Sequence, residues 1–217
     1  MTCSHCCFAC TSRGKDMTRE DFQAAITLAK DYNAMITIGG GEPTLHPFFR
    51  EFVMYAVWEL EGISHDNGMP AVGMVTNGSN TDIALVIAKL AQRGVISAAV
   101  SKDRYHDPID ERVYKAFTKE KNQFGVVTAD DHDCRSVNDR DGYILPAGRA
   151  KQWGNHPFSK CICDSVFVKP SGHVYPCGCC KHSLGHVRET VALKHEHFEG
   201  YCERDEKYKK EVLDAQE

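Results

Sequence analysis

Three cysteines near the start of the chain have the spacing of a metal-binding loop. Cys3, Cys7 and Cys10 form the pattern C-x3-C-x2-C. They supply three thiolates, one fewer than a closed four-thiolate iron–sulfur or zinc site needs. An iron–sulfur cluster held in this way keeps one iron open to another ligand. Cys6 leaves a second interpretation open, because the pairs Cys3/Cys6 and Cys7/Cys10 could together close a zinc site.

A glycine-rich acidic turn, Gly39-Gly40-Gly41-Glu42-Pro43, follows the first predicted strand. Glycines let the backbone approach a ligand closely, and a carboxylate suits an ammonium group. The turn lies at the carboxyl end of a strand, where parallel α/β folds place their sites. Together and in this order, the cysteine triplet and this turn resemble the motifs of radical S-adenosylmethionine (radical SAM) enzymes.

The resemblance implies that the triplet Cys3, Cys7 and Cys10 holds a [4Fe–4S] cluster whose open iron binds SAM. It implies that Gly40, Gly41 and Glu42 receive the SAM amino group. Reductive cleavage of SAM then gives methionine and a 5′-deoxyadenosyl radical, which abstracts hydrogen from the substrate. An electron donor such as flavodoxin or ferredoxin is an implied partner. Because the cofactor carries this chemistry, no catalytic side chain is predicted.

Polar residues also follow the next two predicted strands. In the family, such strand ends contact the ribose and carboxylate of SAM, and here they carry Thr76, Asn77, Ser101 and Asp103. Arg149 lies in a Gly-Arg-Ala segment that resembles one recurring near the sixth strand of many members, where an arginine can pair with a carboxylate. Each of these residues has an alternative role as a turn former, a helix cap or a surface side chain.

A second group of cysteines lies in the last third of the chain. Cys161 and Cys177 flank a predicted β-hairpin, residues 166–175, whose turn contains Gly172. This spacing resembles the opening of a SPASM or twitch extension, which implies one auxiliary [4Fe–4S] cluster. The ligands chosen for it are Cys161, Cys177, Cys180 and Cys202, with Cys163 and Cys179 as alternatives. A zinc knuckle on the same hairpin stays open.

Strands and helices alternate along the first two thirds of the chain. The patterns predict helices at 18–33, 49–60, 81–93 and 110–118, and strands at 35–38, 72–76, 95–100, 124–128 and 142–145. The alternation predicts an α/β fold with a parallel sheet and right-handed crossovers. An eightfold barrel usually needs about 250 residues. We therefore expect a partial (β/α)5–6 TIM-like barrel over residues 1–152, and a small Cys-rich β-hairpin cap with a charged tail over residues 153–217.

Composition limits the classes of protein that remain. The chain has 217 residues, of which 42% are hydrophobic, and no apolar run has the length of a membrane-spanning helix. A net charge of −4 argues against a large nucleic-acid footprint. Eleven cysteines, an odd number clustered at both ends, fit metal ligation in a reducing compartment better than a disulfide framework. We expect a cytoplasmic protein with no membrane partner.

These patterns favour a radical SAM enzyme that acts on a compact substrate, such as a metabolite, a nucleotide or a short peptide. The motifs do not distinguish oxidation, rearrangement, epimerisation and cross-linking as the net reaction. The alternative from another class is a zinc-stabilised, Cys-rich binding module without catalysis. That alternative predicts a colourless protein with no affinity for SAM.

Overall fold

A computed structural model of the chain describes residues 6, 10–63, 68–101, 107–118, 127–128, 165–176, 178 and 182–193, and for 127–128 it describes the backbone alone. The chain divides into two compact units. The first comprises Met1–Gly14 with Ile26–Asn155, and the second comprises Lys15–Ala25 with His156–Glu217. The units are described separately below.

A four-stranded parallel sheet forms the centre of the first unit. Its strands lie in chain order: β1 Ile36–Ile38, β2 Val72–Thr76, β3 Ser97–Val100 and β4 Val127–Thr128. The register pairs Ile38 with Met74 and Thr76 with Val100. Because neighbouring strands are parallel, their carboxyl ends meet at one edge of the sheet. This confirms the predicted α/β fold with a parallel sheet.

Four α-helices are described: α1 Arg19–Asp31, α2 Phe49–Glu59, α3 Thr81–Gln92 and α4 Glu111–Thr118. α2, α3 and α4 lie in the connections between successive strands, as the alternating pattern predicts. A short 3-10 helix, Pro43–Leu45, lies between β1 and α2. Within the described ranges, every helix is too short or too polar to span a bilayer.

The ends of α3 follow directly from local sequence signals. The Asn80 side chain caps its start by accepting a hydrogen bond from Ile83 N at 3.5 Å. At its other end, Gly94 adopts φ +70°, a left-handed conformation that glycine reaches without steric cost. Gly94 N donates to Ala91 O, and Val95 N donates to Leu90 O. These two bonds form a Schellman motif, which ends the helix at Gly94.

Two predicted boundaries differ from the structure by two residues, and several others differ by one. α1 ends at Asp31 instead of residue 33, because Asn33 takes φ +48° and closes a Schellman motif of its own, with Ala34 N donating to Ala29 O. β3 begins at Ser97 instead of residue 95, because Val95 is used in the end of α3. Asparagine is a less common residue than glycine at this helix position, so the first signal is weak in the sequence.

The core of the first unit lies between the sheet and its helices. α3 packs against α4 and β3, and α2 packs against β2. The fully buried side chains come from both layers: Ala56, Leu60, Ala84, Ile87, Ala88, Ile96, Val100, Val113 and Phe117. Each large apolar side chain buried here stabilises the fold by about 1.5–3 kcal/mol. The core therefore fixes the helices and strands that carry the loops at the sheet edge.

The described part of the second unit contains a three-stranded antiparallel sheet. Its strands are β5 Phe167–Val168, β6 His173–Tyr175 and β7 Gly185–His186, with β6 in the middle. β5 and β6 form the predicted hairpin, and Gly172 takes φ +75° in its turn. The predicted strand at 142–145 and the sixth βα unit of a partial barrel lie outside the described residues.

Candidate functional site

Loops from three neighbouring strands meet at the carboxyl edge of the parallel sheet. Glu42 follows β1, Thr76 ends β2 and leads into Asn77, and Ser101 follows β3. The register brings these loops together, and Ser101 N donates a 2.8 Å hydrogen bond to Thr76 O. All four side chains are buried. Four of the predicted site residues therefore lie at one edge of one sheet.

The carboxylate of Glu42 joins the first two of these loops. Glu42 Oε1 accepts hydrogen bonds from Thr76 Oγ1 at 2.8 Å, from Thr44 Oγ1 at 2.6 Å and from Thr44 N at 3.1 Å. Glu42 Oε2 accepts one from Asn77 N at 2.7 Å. Glu42 is only 8% exposed, and a buried carboxylate requires such donors. The side chain therefore ties the glycine-rich turn to the end of β2.

This arrangement adds a second role to the one predicted for Glu42. The sequence assigns its carboxylate to the SAM amino group, an assignment that stays a prediction. Three of its four hydrogen bonds end on Oε1 and one ends on Oε2. Among the described residues Oε2 thus accepts a single hydrogen bond, which makes it the oxygen that a further donor would approach.

The turn after β2 is held by its own side chains. Thr76 Oγ1, which donates to Glu42, also accepts a hydrogen bond from Gly78 N at 3.1 Å. Asn77 Oδ1 accepts one from Ser79 N at 2.9 Å, which is the turn-forming role weighed for it as an alternative. Gly78 takes φ +72°, and a side chain there would press on the apolar side chains of α4 and β3. The turn is thus rigid before any ligand binds.

Gly39 and Gly40 face open space. A Cβ built on either residue meets no atom of the described chain within 4 Å. Gly40 takes φ +139°, which favours glycine, but Gly39 has no positive φ. Neither backbone conformation nor crowding from the described residues therefore requires glycine at position 39. Close approach of a ligand to the backbone would explain a glycine there.

The cysteine loop meets the glycine-rich turn at Gly41. A Cβ built on Gly41 would lie 3.8 Å from the Cβ of Cys10, the last cysteine of the N-terminal triplet. Cys10 is itself half-buried, and its N–H donates a 3.3 Å hydrogen bond to Cys6 Sγ. Both motifs belong to the first unit. Two segments that are separate in the sequence thus come together at the sheet edge.

Several predicted ligands lie outside the described residues. They are Cys3, Cys7, Asp103, Arg149, Cys161, Cys177, Cys180 and Cys202. Within the ranges that the structure covers, no three His, Cys, Asp or Glu side chains are grouped as a metal site. Cys10 is the only one of the seven predicted metal ligands inside those ranges, so both cluster assignments stay predictions.

Thr44 belongs to the site but was not among the residues predicted from the sequence. Its hydroxyl and its backbone N–H both bind Glu42, and its carbonyl oxygen accepts a 3.4 Å hydrogen bond from Asn80 Nδ2. The available signal was a threonine two residues after an acidic residue, a spacing at which the acidic side chain can accept from the backbone. Thr44 links the glycine-rich turn to the start of α3.

Neither a protein-family model nor a curated protein sequence matches the chain. Among solved structures, the chain is similar to the crystal structure of BtrN in complex with AdoMet and 2-DOIA, with a TM-score of 0.57 and 14% sequence identity. BtrN is a radical SAM enzyme. The fold is shared. The likeness covers 97% of this chain and 80% of the BtrN chain, so it extends over almost the whole sequence.

Proposed function

We propose that this protein is a radical SAM enzyme. The observation that carries the proposal is the approach of Cys10 to Gly41, because it places the last cysteine of the triplet beside the glycine-rich turn. A cluster that binds SAM needs this proximity, since the amino acid part of SAM must reach both the open iron and the turn. The fold shared with BtrN, which was crystallised with AdoMet, supports the same function.

The residues of the proposed site fit the two groups that the proposal requires, a [4Fe–4S] cluster and SAM. Cys3, Cys7 and Cys10 would hold a [4Fe–4S] cluster, because thiolates are its ligands and three of them keep one iron open. No described atom lies within 4 Å of a Cβ built on Gly39 or Gly40, and the methionyl part of SAM would lie against the backbone there. When bound, the cluster supplies the electron that divides SAM into methionine and the 5′-deoxyadenosyl radical, which takes a hydrogen atom from substrate.

The chain's own residues position SAM. Glu42 holds the glycine-rich turn against the end of β2 through Thr76 and Asn77, so the turn keeps its shape without a ligand. Oε2 of Glu42, together with the backbone of Gly40 and Gly41, would accept hydrogen bonds from the SAM ammonium. Because these acceptors are already in position, SAM binding is not weakened by the entropy cost of ordering a loop.

The remaining strand ends complete the proposed SAM site. Asn77 and Ser101 directly follow the paired ends of β2 and β3, where they would face the carboxylate and ribose of SAM. Asp103 and Arg149, both outside the described residues, are proposed for the ribose and for a carboxylate. The burial of Ser101 and Asn77 supports a role at the bottom of the site rather than on the surface.

We also propose one auxiliary [4Fe–4S] cluster, held by Cys161, Cys177, Cys180 and Cys202 in a twitch-like cap. The hairpin β5–β6, which the sequence places between Cys161 and Cys177, supports this assignment. The substrate would be a compact molecule: a metabolite, a nucleotide or a short peptide. A flavodoxin or a ferredoxin would supply the electron.

Electron paramagnetic resonance of the reduced protein, prepared without oxygen, tests the proposed function. SAM should change the signal of one cluster, because SAM binds to an iron that protein ligands leave open. Methylthioadenosine at the same concentration serves as the control, since it lacks the amino and carboxylate groups that would bind the iron, and it should leave the signal unchanged. Protein that contains stoichiometric zinc without sulfide would contradict the proposal and support the zinc-stabilised binding module.

A further inference from the structure

The side chain of Asp21, a buried carboxylate outside the candidate site, does not take the direction expected of a helix cap. Thr18 and Asp21 have the spacing of a helix N-cap, and Asp21 N does donate to Thr18 Oγ1 at 3.1 Å. In a complete capping box the acidic side chain would return to the backbone at Thr18. The Asp21 carboxylate instead turns towards the C-terminal sheet of the second unit, and Asp21 is only 3% exposed.

Arg188 supplies the charge that the buried carboxylate needs. Arg188 Nε lies 2.8 Å from Asp21 Oδ1, and His186 Nε2 lies 3.6 Å from the same oxygen. An unpaired carboxylate in this position would be strongly unfavourable, because burial removes its hydration. Lys169, a cation in the hairpin, is turned to the Tyr175 ring with its Nζ 3.7 Å from the ring centroid. Arg188 is therefore the main partner of Asp21.

His186 fixes the backbone that carries Arg188. Its Nδ1 accepts a 3.2 Å hydrogen bond from Arg188 N, so in this arrangement the proton of the neutral ring lies on Nε2. Nε2 then donates to Ser171 O at 3.1 Å, in the turn between β5 and β6. The histidine thus links the hairpin turn to the segment that approaches Asp21.

Gly172 shows how closely these groups pack. A Cβ at this position would collide with the His186 ring and would lie 2.9 Å from Asp21 Oδ1. Gly172 O also accepts a 2.8 Å hydrogen bond from Val187 N. The hairpin turn, the segment 186–188 and the first turn of α1 therefore converge on one point, with no room for a side chain at Gly172.

We propose that Asp21 and Arg188 form a clasp that fastens the first turn of α1 to the C-terminal sheet of the second unit, at the segment that follows β7. The clasp lies wholly inside the second unit and needs no cluster. On one side, α1 follows the triplet that ends at Cys10. On the other side, Arg188 follows β7, which pairs with β6, the strand that ends at Tyr175 shortly before Cys177. The clasp would hold the hairpin in place whether or not an auxiliary cluster is bound.

Hydrogen–deuterium exchange of the full chain, prepared without iron, tests the clasp. Arg188→Gln should speed exchange in residues 19–22, 171–175 and 186–188 by about tenfold, less than for a fully buried partner because the Arg188 side chain is 57% exposed. Exchange in β2 and β3 should not change. Arg112→Gln is the matched control, because it removes an arginine from an ion pair with Asp110 beside α4.

A second substitution distinguishes the clasp from general loss of stability. Adding Asp21→Asn to Arg188→Gln should slow the exchange again in those three segments, because it removes the buried charge that lost its partner. Arg188→Lys, which keeps the positive charge, should show exchange rates close to those of the parent. The proposal is overturned if Arg188→Gln exchanges like the parent in these segments, if β2 and β3 speed up equally, or if Asp21→Asn gives no rescue. None of these outcomes depends on SAM, so they leave the proposed function untouched.

Discussion

The hydroxyl of Thr76 donates a 2.8 Å hydrogen bond to Glu42 Oε1 and so joins the ends of two neighbouring strands. The bond is buried, and with the bonds from Thr44 and Asn77 it gives the Glu42 carboxylate four donors. The glycine-rich turn and the loop after β2 therefore behave as one preformed element. A ligand that binds at this edge of the sheet would find the turn and the loop already in position.

Glu42→Ala should weaken SAM binding by roughly 1.5–3 kcal/mol, the usual contribution of a hydrogen bond to a charged group. The loss follows from two causes, because the substitution removes an acceptor for the SAM ammonium and releases the turn from β2. Isothermal titration with SAM on the reconstituted protein measures the effect. Glu59→Ala is the control, since it removes an exposed carboxylate that pairs with Lys30 on the surface. Unchanged affinity in Glu42→Ala would show that this turn is not the SAM site.

Gly39→Ala should weaken SAM binding but leave the free energy of unfolding within about 0.5 kcal/mol of the parent. The added methyl group meets no described atom within 4 Å, so it leaves the packing of the described residues unchanged. Gly73→Ala provides the contrast, because a Cβ there would lie 3.0 Å from Ser97 Oγ and should destabilise the fold. Denaturant unfolding and SAM titration of both variants measure the two effects. A Gly39→Ala protein that binds SAM like the parent would remove Gly39 from the site.

The cysteine assignments predict how iron divides between two sites. Protein reconstituted without oxygen should hold two [4Fe–4S] clusters, about eight irons per chain. Replacing Cys3, Cys7 and Cys10 together by alanine should halve the iron and leave the auxiliary cluster. Cys6→Ala is the matched control within the same loop and should retain all the iron. Iron and sulfide analysis measures the cluster content of each variant. Loss of iron in Cys6→Ala would favour a different ligand set.

The pKa of Asp110 carries a prediction about acid stability. Side-chain hydrogen bonds from Arg112, together with one from its backbone N–H, lower the pKa of Asp110 from 3.8 to about 2. A carboxyl group whose pKa falls on folding stabilises the protein above its unfolded pKa. That stabilisation is lost as pH falls from about 3.8 through about 2. Titration of the Asp110 carboxyl by NMR checks the value, and Arg112→Gln should move the midpoint upward. An unchanged titration midpoint of Asp110 in Arg112→Gln would show that Arg112 does not lower this pKa.

Much of the fold could be predicted because its signals are local. The start of α3 at Asn80 and its end at Gly94 depend on the capping chemistry of single residues. The parallel sheet follows from the alternation of apolar strands with amphipathic helices. The end of α1 was missed because Asn33 closes it with a left-handed conformation that asparagine reaches less often than glycine.

The partners of the buried carboxylates could not be predicted in the same way. Glu42 binds Thr76 because the register of β1 and β2 brings their ends together, and no local pattern sets that register. Asp21 has the spacing of a helix cap, but its carboxylate pairs with Arg188 at the other end of the chain. In both cases the sequence allows more than one role for the carboxylate, and the tertiary structure determines which role it takes. Residue types at the site were thus predictable, while their hydrogen bonds were not.

Formation of 5′-deoxyadenosine from SAM is the measurement that tests the central claim most directly. The reconstituted protein, reduced without oxygen, should release 5′-deoxyadenosine and methionine in equal amounts, slowly even without substrate. Cys10→Ala should abolish the product, because Cys10 lies beside Gly41 where the cluster and SAM must meet. Cys6→Ala should retain it. If the reduced parent protein, with its iron in place, leaves SAM intact, the protein is not a radical SAM enzyme.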